Sequence, residues 1–252
     1  MTSPFDLTGK RAFVTGANTG IGQGIAVSLA RAGASVACVG RSSMAETEAA
    51  IASAGGTSCE HLVDLADRDA AVAAFEAAAK KHGPFDILVN NAGIIRRADA
   101  TNFSEADWDD VIDVNLKTAF FLAQAFGRSA IADGRHGSIV NIASMLSFQG
   151  GIRVASYTAS KHGIAGITRL LACEWAGRNV NVNAIAPGYI VTNNTAALRD
   201  DEDRSAAILA RIPAGRWGEA SDIGGAAVFL ASEAARYVHG AVLPVDGGWL
   251  AR

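Results

Sequence analysis

The chain has 252 residues, half of them hydrophobic and 19% charged, with a formal net charge of −3 and a pI near 5.9. That length supports one α/β domain or two small ones with a sizeable core, and the hydrophobic content excludes a disordered chain. The slight acidity argues against holding DNA or an anionic membrane through bulk charge.

Cys38, Cys59 and Cys173 are odd in number, far apart and free of CxxC spacing, so neither a disulfide framework nor a zinc site is expected. The five histidines show no metal-ligand cluster in sequence. The opening residues, MTSPFDLTGKR, carry no basic segment followed by an apolar stretch. No later run reaches the roughly 18 apolar residues of a membrane span. A soluble cytoplasmic protein without nucleic-acid or membrane partners is expected.

Arg11 to Thr15 (RAFVT) reads as a first strand that ends in a glycine-rich turn, and Ile21 to Ala32 as a helix closed by Gly33. In the turn, Gly16, Asn18, Thr19, Gly20, Ile21 and Gly22 fall in a G-x-x-x-G-x-G run. Glycines let the chain turn tightly and let a pyrophosphate approach the N–H groups and positive dipole end of the helix. Taken alone the run favours cofactor binding only weakly, because its spacing departs from G-x-G-x-x-G and glycine-rich turns also arise as helix caps.

Ser35 to Val39 reads as a second strand and part of 56–63 as a third, with an alanine-rich helical stretch between them. A helix from about Asp67 to His82 stops at Gly83-Pro84, and Asp86 to Val89 follows as a fourth strand. A long helix is predicted from about Ala106 to Asp133, with others near Ser156–Gly177 and Ser221–Ala231. Further strands fall at Ser138–Ile142, Val180–Ile185 and Ala241–Val245. These strands are continuous apolar runs, as helices on both faces of a sheet require. The simplest architecture is α/β: a single-domain, Rossmann-type, doubly wound and mostly parallel seven-stranded sheet with helices on both faces. The stretch from Gly188 to about Pro213, with charged Arg199–Arg204, reads either as a substrate lid or as a solvated helical insertion.

Tyr157 and Lys161 stand four residues apart in a predicted helix, so both side chains project from one face. A tyrosine with a pKa of about 10 is a poor base near neutrality, and an adjacent ammonium lowers it. On spacing alone a surface Tyr–Lys pair is the simpler reading.

Ordered motifs along nearly the whole chain change that balance. They are the glycine turn, Asn90-Asn91-Ala92-Gly93 after strand four, Asn115, Ser144 after strand five, Tyr157-x-x-x-Lys161 and Pro187-Gly188. Together they resemble the short-chain dehydrogenase/reductase family. The resemblance implies an oxidoreductase in which Ser144 hydrogen-bonds the substrate oxygen, Tyr157 gives or takes its proton and hydride passes to or from a nicotinamide. It further implies that Lys161 lowers the tyrosine pKa and binds the cofactor ribose, while Asn115 holds a water linking the lysine to solvent. For the cofactor it implies Asp64 and Leu65 near the adenine, Asn91, Ala92 and Gly93 along the adenosine, and Pro187, Gly188, Ile190 and Thr192 at the carboxamide.

The second strand ends in Gly40-Arg41-Ser42 with no aspartate for a ribose diol. Arg41 could pair with a 2′-phosphate, but Thr19 offers no basic partner in the glycine turn. NAD(H) is favoured from the family branch and NADP(H) is left open. The segments 94–97, 143–153, 189–195, 211–218 and 246–252 resemble a branch acting on sugar acids of the 2-keto-3-deoxygluconate and 2-deoxygluconate type. By that likeness Arg96, Gln149, Arg153 and Asn194 orient the acid, with Arg97 also flanking the site, since a guanidinium fork suits a carboxylate. Reduction of a 3-oxoacyl thioester is the competing activity, and a non-enzymatic dinucleotide sensor the competing class. The family likeness also implies a homotetramer built on the helices near 106–133 and 156–177 and on the C-terminal strand. Trp249 and Leu250 are apolar enough to bury there or within their own chain.

Overall fold

In a computed structural model, which describes residues 3–252, seven strands form one sheet in the order β3-β2-β1-β4-β5-β6-β7, with every pair parallel. They are β1 (Arg11–Thr15), β2 (Ser35–Gly40), β3 (Thr57–Leu62), β4 (Ile87–Asn90), β5 (Gly137–Ile142), β6 (Val180–Pro187) and β7 (Val242–Val245). The helices between them are α1 (Gly20–Arg31), α2 (Ala45–Ser53), α3 (Arg68–His82), α4 (Glu105–Ile112), α5 (Ala119–Ala132), α6 (Ala155–Trp175), the short α7 (Ala196–Arg199), α8 (Glu202–Leu209) and α9 (Ala220–Ala231). The doubly wound architecture expected from the apolar runs is therefore the fold. No helix of the described residues is long and apolar enough to cross a membrane.

Burial explains why these segments are strands. Every residue of β4, β5 and β6 is buried, because α1, α2 and α9 cover one face and α3, α5 and α6 the other. β3 lies at the sheet edge and is only partly covered, and its sequence TSCEHL is correspondingly polar. Local signals set the helix starts. Asp67 accepts from the Ala70 amide at 2.9 Å and Ser104 from the Asp107 amide at 3.1 Å, each satisfying an N–H that the helix leaves unpaired.

The structure adds detail to two segments. The long helix expected near 106–133 runs without interruption through α4 and α5, with a π-helical segment, Asp113–Thr118, inside it. Within that segment the Asn115 amide hydrogen-bonds the backbone of Ile94 in both directions, at 2.8 and 2.9 Å. The stretch 188–213, read as either a lid or a solvated helical insertion, carries the helices α7 and α8. Asp201 caps α8 by accepting from the Arg204 amide at 3.0 Å, and Ile208 turns inward against Met145, Ile212 and Trp249.

The chain passes from β1 to β2 and β3 on one side, then returns to β4 and continues the other way. Connections therefore diverge at the carboxyl ends of β1 and β4, leaving a crevice there. A buried polar chain fixes this region. Asn90 donates to Asn141 at 2.9 Å, Asn141 donates to Thr168 at 2.9 Å, and Thr168 donates to the Ile164 carbonyl at 2.7 Å.

Candidate active site

A cleft of about 750 Å³ opens at that divergence, within the range of cavities that hold cofactors and small substrates. One end is the glycine turn between β1 and α1. Gly16 and Gly20 have φ of +64° and +57°, which residues with a Cβ adopt only under strain. A Cβ on Gly16 would stand 2.9 Å from Asn91 Nδ2, and one on Gly22 would collide with the Gly16 carbonyl and Asn91 Nδ2. The turn is thus packed as tightly behind as it is open in front, which fits a pyrophosphate lying over the α1 N-terminus.

Thr15, which the sequence reading passed over, organises this end. Its hydroxyl accepts from the amides of Asn91 at 3.0 Å and Ala92 at 3.1 Å and donates to the Val89 carbonyl at 3.2 Å. Asn91 Nδ2 returns the tie to the carbonyls of Thr15 and Gly16, at 2.9 and 3.1 Å. Nothing in sequence separates Thr15 from any other strand threonine; only the pairing of β1 with β4 brings these groups together. Gly22→Ala is expected to lower stability by about 1–3 kcal/mol and to weaken dinucleotide binding, because the Gly16 backbone and the Asn91 side chain would have to move. Thermal melts and a cofactor fluorescence titration check this, and unchanged values in both would show that the turn is looser than its packing.

All the residues expected at the cofactor line the cleft: Gly16, Asn18, Thr19, Gly20, Ile21, Gly22, Arg41, Asp64, Leu65, Asn91, Ala92, Gly93, Tyr157, Lys161, Pro187, Gly188, Ile190 and Thr192. Asn18 Nδ2 donates to Ser42 Oγ at 2.8 Å, joining the glycine turn to the end of β2 beside exposed Arg41.

At the inner end Ser144 follows β5 and stands beside Tyr157 of α6. Lys161, one turn further along α6, is 4% exposed, and its Nζ donates to the Ile142 carbonyl at 2.7 Å. Lys161 Nζ lies 5.5 Å from the Tyr157 ring centroid. Burial raises the Tyr157 hydroxyl above its ordinary value, and the opposing effects of the Ser144 hydroxyl and the Arg97 guanidinium only partly offset this. Burial also lowers Lys161 to about 8. Tyr157 therefore keeps its proton at neutral pH and is set to donate it.

Asn115 does not reach the cleft surface. It lies behind the wall, 2% exposed, holding Ile94 and donating to Ser160 Oγ at 3.3 Å.

The residues expected to orient a substrate separate into two sets. Arg96 and Asn194 line the cleft, whereas Gln149 and Arg153 are not among its lining residues. Arg96 is tied to Asp107 at 3.3 Å and Asp110 at 3.0 Å. Arg153, with an unusual φ of +64°, pairs with Asp99 at 3.2 Å. Arg97 has no carboxylate partner among the described residues, yet its charge reaches Tyr157. On the far side Trp249 is buried against its own chain, its ring 4.8 Å from that of Tyr189 and stacked beneath Arg211. It anchors the 188–213 insertion to the C-terminus.

The switch-point cleft, its glycine cradle and the Ser144–Tyr157–Lys161 cluster define a dinucleotide-dependent oxidoreductase of the Rossmann type. Residues 16–250 match a family described as enoyl-(acyl carrier protein) reductase. The chain belongs to the short-chain dehydrogenase/reductase family. It is 56% identical over 250 residues to 2-dehydro-3-deoxy-D-gluconate 5-dehydrogenase of Escherichia coli (strain K12), covering 99% of each chain. A structure from Agrobacterium tumefaciens, provisionally named a 2-deoxy-D-gluconate 3-dehydrogenase and holding NADP, is 64% identical with a TM-score of 0.96 over 100% of both chains. Gluconate 5-dehydrogenase of Burkholderia cenocepacia J2315, solved with NADP and tartrate, is 38% identical with a TM-score of 0.93, covering 99% of this chain and 98% of that one.

Proposed function

We propose that the protein interconverts the secondary alcohol and ketone of a sugar acid of the 2-keto-3-deoxygluconate or 2-deoxygluconate type. The observation that carries this reading is the Ser144–Tyr157–Lys161 cluster at the inner end of a dinucleotide cleft that Arg96 lines, with exposed Arg97 close enough for its charge to act on Tyr157. In the reducing direction Ser144 donates a hydrogen bond to the carbonyl oxygen and Tyr157 gives it a proton. A bound nicotinamide supplies the hydride. Lys161 places a positive charge beside the tyrosine as that proton leaves. Asn115 acts at one remove, through Ile94 and Ser160. The segment 188–213 serves as the lid, and the assembly is a homotetramer.

Arg97 reads the substrate carboxylate, because Arg96 and Arg153 are already engaged by aspartates. Arg97→Ala is expected to raise KM for a sugar acid by about tenfold or more, the worth of a charge-assisted pair, with a smaller effect on kcat. Equal losses in both parameters would place Arg97 in the chemistry instead.

The expected preference for NAD(H) has no physical support in this site, since β2 ends without a carboxylate for the ribose diol. Exposed Arg41 suits a 2′-phosphate, and relatives were solved with NADP. Arg41→Ser should raise KM for NADP(H) by about tenfold while leaving NAD(H) nearly unchanged; an equal rise for both would refute the assignment. Initial rates on 2-keto-3-deoxygluconate-type acids and on a 3-oxoacyl thioester, each with both cofactors, test the whole reading. Faster turnover of the thioester would overturn it.

A further inference from the structure

A second cluster of reactive side chains lies away from the cleft, at the edge of the sheet. Cys59 and His61 alternate along β3, so both project from the same face, the one covered by α3. α3 ends there with His82, held by the Arg11 side chain, whose guanidinium donates to the His82 carbonyl at 3.1 Å and to the Pro84 carbonyl at 2.9 Å. Cys59 Sγ is 3.4 Å from His61 Nε2, and the rings of His61 and His82 meet edge to face at 5.7 Å. One donor atom from each of the three residues lies within 4.8 Å of the other two. His82 Nε2 is shut from solvent and has no hydrogen-bond partner. None of the three lines the cleft.

We propose that Cys59, His61 and His82 bind a zinc-type divalent cation. Zinc–sulfur and zinc–nitrogen bonds of about 2.3 and 2.0–2.1 Å put tetrahedral donors about 3.4–3.6 Å apart, so the Cys59–His61 pair is already spaced for coordination and His82 needs only a small approach. The mixed thiolate and imidazole set suits zinc, with water completing the fourth position. The C-terminal end of α3 presents its negative dipole end to the cation. Burial and then Glu48 hold the Cys59 thiol above its ordinary value, Lys81 only partly offsets them, and the cation has to displace that proton. Binding replaces the thiol proton of Cys59, which passes to solvent, and unites the unpartnered His82 nitrogen with the edge strand. No sequence spacing marks this set, because His82 reaches β3 only when α3 folds back across it. The bound cation ties the end of α3 to the strand that leads directly into Asp64.

Chelator-stripped protein titrated with Co²⁺ under reducing conditions tests the site. A single Co²⁺ per chain is expected, with a thiolate-to-cobalt charge-transfer band that Zn²⁺ displaces. The band should vanish in Cys59→Ser, and affinity should fall by about tenfold or more in His82→Gln, while Cys173→Ser keeps both. Dinucleotide binding reports whether each variant is folded. Should Cys59→Ser misfold, the rate of Cys59 alkylation decides: Zn²⁺ slows it in the wild type and not in His82→Gln. Absence of a thiolate band in the wild type, its survival in Cys59→Ser, or alkylation indifferent to Zn²⁺ would each overturn the proposal.

Discussion

Tyr157→Phe is expected to lower kcat/KM by about 10²–10⁴-fold while leaving dinucleotide affinity close to that of the wild type. The substitution removes a single oxygen from a position beside Ser144, so the cleft keeps its shape and its glycine cradle. What disappears is the proton that the ketone oxygen must receive. Because burial holds the hydroxyl above its ordinary pKa, the group is fully protonated near neutrality, and reduction draws on it directly. Alcohol oxidation needs the opposite form. Its rate in the wild type should therefore rise with pH over a range where ketone reduction does not. Steady-state kinetics in both directions and a binding titration check these outcomes. Turnover surviving in the phenylalanine variant would move the acid–base role to another group.

The second large effect concerns Lys161. Burial lowers it from 10.5 to about 8, so the folded chain holds its proton less tightly than the unfolded one. Between those two values the unfolded state binds more protons, and stability rises with pH. Below about 8 the penalty for burying the ammonium is present in full. Lys161→Met keeps the length of the side chain and removes the charge. It should abolish turnover, yet stabilise the protein at neutral pH by about 1–2 kcal/mol, after the unpaired Ile142 carbonyl is set against the relieved charge. The stability gain between pH 8 and pH 10.5 that Lys161 contributes in the wild type should disappear in the variant. Urea denaturation at neutral and alkaline pH measures both. A methionine variant less stable than the wild type near neutrality would mean that the ammonium is not penalised where it lies.

These two residues also show how much could be read from sequence. The spacing of Tyr157 and Lys161 identifies a pair on one helix face, and the surrounding motifs identify its chemistry. The direction of the tyrosine's pKa could not be read in this way. It depends on how much protein closes over the hydroxyl and on which groups, here Ser144 and Arg97, stand against that burial. The arginines follow the same rule. The family resemblance places several near the site, but only folding shows which are neutralised: Asp107 and Asp110 reach Arg96 from α4, and Asp99 reaches Arg153 from a separate loop.

The sequence by itself determined the alternation of strands and helices, the parallel sheet and the glycine turn, because each rests on local periodicity and backbone freedom that neighbouring residues specify. The tertiary structure alone decided the π-helical segment around Asn115, the anchoring of the 188–213 insertion by Trp249, the service of Thr15 and the meeting of His82 with Cys59 and His61. Each of these depends on contacts between residues distant in sequence, whose partners exist only once the sheet has ordered its strands.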